Sequence, residues 1–143
     1  MSQTKLPVSK FMIKNFKSIS PTSTIEDAAK ILYDDNITSL LVLDDGDFVG
    51  ILTEQDLMSS TLVFGHKKNT MVKDIMSASL VSVESTSSII DAANIMVEKK
   101  IHKLPVMENN QIVGLISATD LMVLFSVIKE EDLVKIIRAQ ADL

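Results

Sequence analysis

The chain of 143 residues contains no cysteine. That excludes disulfides, thiolate zinc sites and thiol nucleophiles, and it fits a reducing compartment. There is no tryptophan and a single tyrosine. Two histidines, His66 and His102, are too few for a three-histidine metal site. Arginine occurs once, at Arg138, the lysines are scattered, and the net charge is −5. A polyanion is bound by clustered Lys and Arg, so nucleic acid is not expected as a partner. The four glycines, at 46, 50, 65 and 114, complete neither G-x-x-x-x-G-K-[ST] nor G-x-G-x-x-G. Gly50 and Gly114 read instead as close-packing positions inside strands. Long apolar runs are also missing. The longest, Leu121 to Ile128, is interrupted by Ser126 and falls far short of the roughly 20 residues that span a bilayer. Met1 to Pro7 lacks the apolar core of a signal peptide. These absences lead us to expect a cytoplasmic protein with no membrane contact.

The composition is that of an ordinary globular chain, 46% hydrophobic and 23% charged. The length suits one compact domain or two small halves, enough to bury about 70% of the unfolded surface. An internal repeat decides between these. Displaced by 64 positions, residues 8–58 lie on residues 72–122 without a gap, with 18 identities in 51 pairs. Among them are Val8/Val72, Met12/Met76, Asp27/Asp91, Ala28/Ala92, Ala29/Ala93, Ile37/Ile101, Leu40/Leu104, Val42/Val106, Gly50/Gly114 and Asp56/Asp120. One fold made twice is expected, its halves packed about a pseudo-two-fold axis.

Each half carries the same local signals. Ile25, Ala28, Ala29 and Leu32, and again Ile89, Ala92, Ala93 and Met96, have the spacing of one helix face. The small Ala pairs would let each helix lie close to a sheet. Ser23/Thr24 and Ser87/Ser88 are candidate N-caps. Ser39 to Leu43 and Phe48 to Thr53 flank Asp44-Asp45-Gly46-Asp47, a hairpin signal. Leu104 to Met107 and Ile112 to Ser117 flank Glu108-Asn109-Asn110-Gln111 in the same way. A helix starts after Thr53 and after Ser117. The unit is thus β-α-β-β-α and the fold class mixed α/β (α+β). The expected organisation is a first repeat at 8–63, a linker at 64–71, a second repeat at 72–127 and a C-terminal helix at 128–143. In that helix Leu133, Ile136, Ile137 and Ala141 form one stripe, which either covers the chain's own core or makes a dimer contact. The eight methionines are expected as core filler, with Met12 and Met76 as candidates to border the clefts.

These residues resemble the cystathionine-β-synthase (CBS) domain family. The pieces are Asp74-Ile75-Met76, Ile101-His102-Lys103-Leu104-Pro105-Val106 and Ile112-Val113-Gly114-Leu115-Ile116-Ser117-Ala118-Thr119-Asp120-Leu121. Their first-half counterparts are Ile37-Thr38-Ser39-Leu40-Leu41-Val42 and Val49-Gly50-Ile51-Leu52-Thr53-Glu54-Gln55-Asp56-Leu57. The resemblance covers residues 8 to 124. It departs at Leu41, where the second half has the family's more usual proline, Pro105. It implies a disc-like pair, a Bateman module, that stacks into a homodimer. It also implies an adenosine ligand (AMP, ADP, ATP or S-adenosylmethionine) in clefts between the repeats, and regulation of a partner rather than catalysis. No cofactor is required on this reading beyond the nucleotide, which magnesium can accompany, and the regulated protein is unknown.

The residues themselves suit such a ligand. Ser117-x-x-Asp120 stands where a strand passes into a helix, whose N-terminus favours anions. A carboxylate suits paired ribose hydroxyls and would repel a phosphate. Ribose is therefore expected beside Asp120, with phosphate towards Ser117 and His102. Spacing alone favours a capping box, in which the acid caps the helix backbone. The family match is what favours the ribose–phosphate motif, and both roles can coexist. The first cleft combines Ser117, Thr119, Asp120, His102 and Lys103 with an adenine wall of Lys17, Ser18, Ile19, Ile37 and Thr38. The second combines Thr53 and Asp56 with Val81, Ser82, Val83, Ile101 and His102. Because Thr38 and Ser39 stand where the second half has His102 and Lys103, the second cleft holds less positive charge. Two other readings stay open, a ligand-free dimerisation scaffold and an S-adenosylmethionine module.

Overall fold

A computed structural model describes residues 6–141, apart from the side chains of Ile136, Gln140 and Ala141. The expected stripe positions Ile136 and Ala141, and residues 142 and 143 of the expected C-terminal helix, lie wholly or partly outside the described residues. The chain forms two compact units. One is Phe16–Leu80; the other takes in the described residues of 1–15 and 81–143.

The unit Phe16–Leu80 contains β1 (Ser18–Ile19), α1 (Ile25–Asp35), β2 (Ser39–Asp44), β3 (Asp47–Thr53) and α2 (Glu54–Met58). A wide turn over Ser59–Val63 continues α2. β1 runs parallel to β2, and β2 antiparallel to β3. The second unit repeats this with β4 (Val83–Glu84), α3 (Ile89–Lys99), β5 (Lys103–Glu108), β6 (Gln111–Ser117) and α4 (Ala118–Val127), in the same strand order. It also carries α5 (Glu130–Ala141). The expected mixed α/β architecture, with its doubled β-α-β-β-α unit, is thus present.

The hairpins close as the sequence suggests. Asp45 and Gly46 have φ of 53° and 88°, and Asn109 and Asn110 have 52° and 64°. Two successive positive φ values make the turn whose twist matches that of the strands, and Gly and Asn adopt them most readily. Thr24 and Ser88 are the N-caps of α1 and α3, each accepting from the N–H three residues on. At the other end, Asn36 and Lys100 close these helices in the left-handed conformation, with φ of 54° and 57°.

Alternate strand positions build the cores. Leu40, Val42 and Leu52 meet Ile19, Ala28, Leu32 and Val72 in one unit. Leu104, Val106 and Ile116 meet Val8, Val83, Ile89, Ala92, Met96 and Leu121 in the other. Val8 and Val72, the matched first residues of the two repeats, therefore each sit in the core built mainly by the other repeat. The Val72 N–H donates to the Ser23 carbonyl at 2.8 Å, and the Val8 N–H to that of Ser87 at 2.8 Å. Each lead-in then pairs with an edge strand, Ser77 with Ile51 and Ile13 with Leu115. This close approach is what requires the glycines. A Cβ on Gly50 would lie 2.6 Å from the Ser77 carbonyl oxygen and 2.8 Å from Met76 Sδ. One on Gly114 would run into Met12 Sδ.

Two expectations are corrected. Ala29 is exposed, so the buried stripe of α1 is Ile25, Ala28 and Leu32 alone. The methionines are not uniformly core filler. Met96 is buried, and Met12 and Met76 pack against the cores. Met58, Met71 and Met122 are exposed, on the outer surfaces of α2, the linker end and α4. A residue type that tolerates both settings carries no position in its identity.

Candidate functional site

The corner where β6 passes into α4 is a capping box. The Asp120 N–H donates to Ser117 Oγ at 3.0 Å, and the Ser117 N–H donates to Asp120 Oδ2 at 3.0 Å. The third side of the corner is β5. The Ala118 N–H donates to the His102 carbonyl at 2.8 Å, and Lys103 lies opposite Ser117 in the ladder. Five expected site residues, His102, Lys103, Ser117, Thr119 and Asp120, are therefore gathered at one strand–helix corner of one unit. Ser117 is 6% exposed, which makes its hydroxyl chiefly a cap. His102 and Thr119 are exposed, and Lys103 and Asp120 are half-buried. Among the described residues, Asp120 Oδ1 has no recorded partner. The corner thus offers a free carboxylate oxygen, two cationic or protonatable groups and a hydroxyl, at the positive end of a ten-residue helix.

The other unit repeats the corner. The Thr53 N–H donates to Asp56 Oδ2 at 2.9 Å, and the Asp56 N–H to Thr53 Oγ1 at 3.2 Å. The Glu54 N–H donates to the Thr38 carbonyl at 3.0 Å. Thr38 and Ser39 thus occupy the places of His102 and Lys103 without their charge. The regular part of α2 is five residues long, so it collects less aligned dipole than α4. Asp56 also borders a cavity of about 240 Å³ with Ser60, Phe64, His66 and Asp74. There Ser60 Oγ and His66 Nδ1 are 2.9 Å apart.

The remaining expected residues divide by unit. Lys17, Ser18, Ile19, Ile37 and Thr38 belong with Thr53 and Asp56 in Phe16–Leu80, whereas Val81, Ser82, Val83 and Ile101 belong with Ser117 and Asp120. Ile19 and Val83 turn their side chains into the cores, leaving backbone to offer a ligand. Ile37, Val81 and Ile101 are half-buried and pack against those cores. Lys17 lies 3.9 Å from Asp35, an exposed pair that holds it only weakly. Ser88 and Asp91 form a third capping box, at the start of α3 (3.0 Å and 3.3 Å). Sequence reasoning gave Ser88 only as an N-cap, although it has the same Ser-x-x-Asp spacing. Among the described residues, no helix is long and apolar enough to cross a membrane. No group of three or more His, Cys, Asp or Glu among them could hold a metal ion.

Comparison with known proteins locates this arrangement. The CBS domain family matches twice, over residues 8–62 and 72–127. The CBS domain-containing protein YhcV of Bacillus subtilis is 32% identical over 112 residues, spanning 78% of this chain and 80% of YhcV. The inosine-5′-monophosphate dehydrogenase of Korarchaeum cryptofilum is 32% identical over 111 residues. That match takes in 77% of this chain but only 22% of the enzyme. Among solved structures, the CBS domain pair of protein MJ0100, in complex with methylthioadenosine and S-adenosyl-L-methionine, is similar with a TM-score of 0.76 and 25% identity. The similarity covers 85% of this chain and 97% of that one. With both repeats matched by the family and the same doubled sheet-and-helix unit, the chain belongs to the CBS domain family, as a tandem CBS domain pair.

Proposed function

We propose that this CBS pair is a regulatory module that binds an adenosine-containing nucleotide (AMP, ADP or ATP) and catalyses no reaction. One observation carries the reading. The capping box at the β6–α4 corner uses only Asp120 Oδ2 and leaves Oδ1 without a partner among the described residues, at a corner whose sequence also supplies His102, Lys103 and Thr119. A helix needs only the first oxygen. The second is placed to accept from a ribose hydroxyl, while the helix N-terminus and the two basic side chains favour phosphate. The ligands of the MJ0100 pair support an adenosine group. The wall expected from the sequence, Lys17, Ser18, Ile19, Ile37 and Thr38, remains part of the proposal. So does a weaker second site at Thr53 and Asp56 with Val81, Ser82, Val83 and Ile101. Magnesium, where it accompanies the nucleotide, is proposed to ride on the phosphates. The working unit is proposed to be a cytoplasmic homodimer acting on a separate protein. Exposed Met58 at the end of α2, Leu62 and Val63 in the turn after it, and Met122, Val123 and Val127 on α4 favour self-association.

The test is isothermal titration of AMP, ADP, ATP and S-adenosylmethionine into the native chain and Asp120→Asn. An Asn oxygen still accepts from the Ser117 N–H, so the cap survives while the charge is lost. A charge-assisted hydrogen bond is worth about 1.5–3 kcal/mol, so affinity for the preferred ligand should fall about 10- to 150-fold. Binding of S-adenosylmethionine alone would replace the nucleotide reading with the S-adenosylmethionine module. No binding by any of the four would leave the ligand-free scaffold.

A further inference from the structure

We propose that α5 is a self-pairing helix, docking antiparallel against α5 of a second copy of this chain about a two-fold axis at Val134. This inference is independent of any ligand. α5 is twelve residues long and none of its described side chains belongs to either hydrophobic core. Helices of about that length are marginal in water without packing. Yet Leu133 is half-buried, and Val134 and Ile137 are 39% and 51% exposed, on one side of the helix.

Charge names the occupant. The first turn is acidic, with Glu130, Glu131 and Asp132, and the helix's own cations, Lys135 and Arg138, come later, while Lys129 precedes the helix. Among the described residues none of these makes an ion pair within the chain. Glu130 and Arg138 stand four residues before and after Val134, and all three line one shallow groove along the helix. Residues four apart share a helix face. An antiparallel pair centred on Val134 therefore sets Val134 against its own copy and Glu130 against Arg138 twice. A parallel pair would instead stack acid on acid. An anionic lipid surface would meet the acidic turn.

The cysteine-free chain gives a clean background for disulfide trapping. Val134→Cys should oxidise to a covalent dimer at least about tenfold faster than Gln111→Cys, an exposed hairpin position that reports random collision. Glu130→Cys and Arg138→Cys should each crosslink poorly alone. Their like residues would lie about 12 Å apart along the axis, beyond disulfide reach of about 7 Å. Mixed together they should form the heterodimer. In the Val134→Cys background, Glu130→Arg or Arg138→Glu should slow crosslinking and the double reversal should restore it. Three outcomes would overturn the proposal: trapping at position 134 no faster than at 111, self-crosslinking at 130 as fast as at 134, or rates indifferent to charge reversal.

Discussion

Among the described residues, Asp56, Asp91 and Asp120 cap helices with the same geometry, and of these Asp56 and Asp120 stand at strand–helix corners. On the proposed function, that difference separates a structural acid from a ligand-binding one. Replacing Asp91 or Asp120 with Ala removes the acceptor for the N-cap N–H, at 3.3 Å from Ser88 and 3.0 Å from Ser117. It also removes a favourable charge from the first helical turn. Loss of a cap costs about 1 kcal/mol, within a range of about 0.5–2, and the charge adds a few tenths at an exposed site. For a chain of this size each variant should melt about 3–8 °C lower. The ligand response should differ completely. Nucleotide at one hundred times its dissociation constant adds about 2.7 kcal/mol, or roughly 5–10 °C. Asp91→Ala should keep that full increment from its lowered baseline, and Asp120→Ala should lose it. Since the chain has no tryptophan, melting is best followed by circular dichroism or calorimetry. An increment that survives Asp120→Ala, or falls equally in both variants, would refute the assignment of Asp120 to the ligand.

The two strand glycines should differ although the repeat makes them equivalent. Gly50→Ala drives a Cβ against the Ser77 carbonyl, which cannot move without breaking its bond from the Ile51 N–H (3.0 Å), and should cost about 2–3 kcal/mol in urea unfolding. Gly114→Ala meets chiefly the flexible end of Met12, with the Ile13 carbonyl at 3.1 Å, and should cost about 1 kcal/mol. Adding Met12→Ala should relieve the clash at Gly114, and Met76→Ala should not rescue Gly50→Ala. At the end of α3, Lys100→Gly should stabilise by up to about 1 kcal/mol, because a β-carbon is strained at φ 57°. A lower melting temperature would contradict it.

Much of this architecture was legible in the sequence because its signals are local. Leu40, Val42 and Leu52 give the core-facing strand positions, Asp45-Gly46 and Asn109-Asn110 give the turns, and the 64-residue displacement gives everything twice. The exchange of lead-ins was not legible. Val8 and Val72 are apolar residues at matched positions, and either could complete the core of its own repeat. Which core each enters depends on how the chain returns through space, and periodicity says nothing about that. The glycines hinted at it, since a strand glycine marks a close approach, without naming Ser77 or Met12 as what approaches. Ala29 was misread because its spacing matches that of Ala28, while the edge of a helical stripe is decided by how far the sheet beneath extends.

The internal repeat also works as a control on the site. Features common to both corners, the capping box and the carbonyl of residue 38 or 102 that holds the first helical N–H, belong to the fold, because each unit needs them to turn a strand into a helix. On the proposed function, what makes the two corners unequal as ligand sites must lie in what the repeat does not share. At these corners the differences are Thr38 and Ser39 against His102 and Lys103, and Glu54 and Gln55 against Ala118 and Thr119. Ser39 is buried, whereas Lys103 is half-buried and His102 exposed. Thr38 and His102 are both exposed, so the change adds basic groups at both positions and access only at the second. A module made only for packing would have no use for that asymmetry. A ligand with a hydroxyl-bearing sugar at one end and anionic groups at the other would.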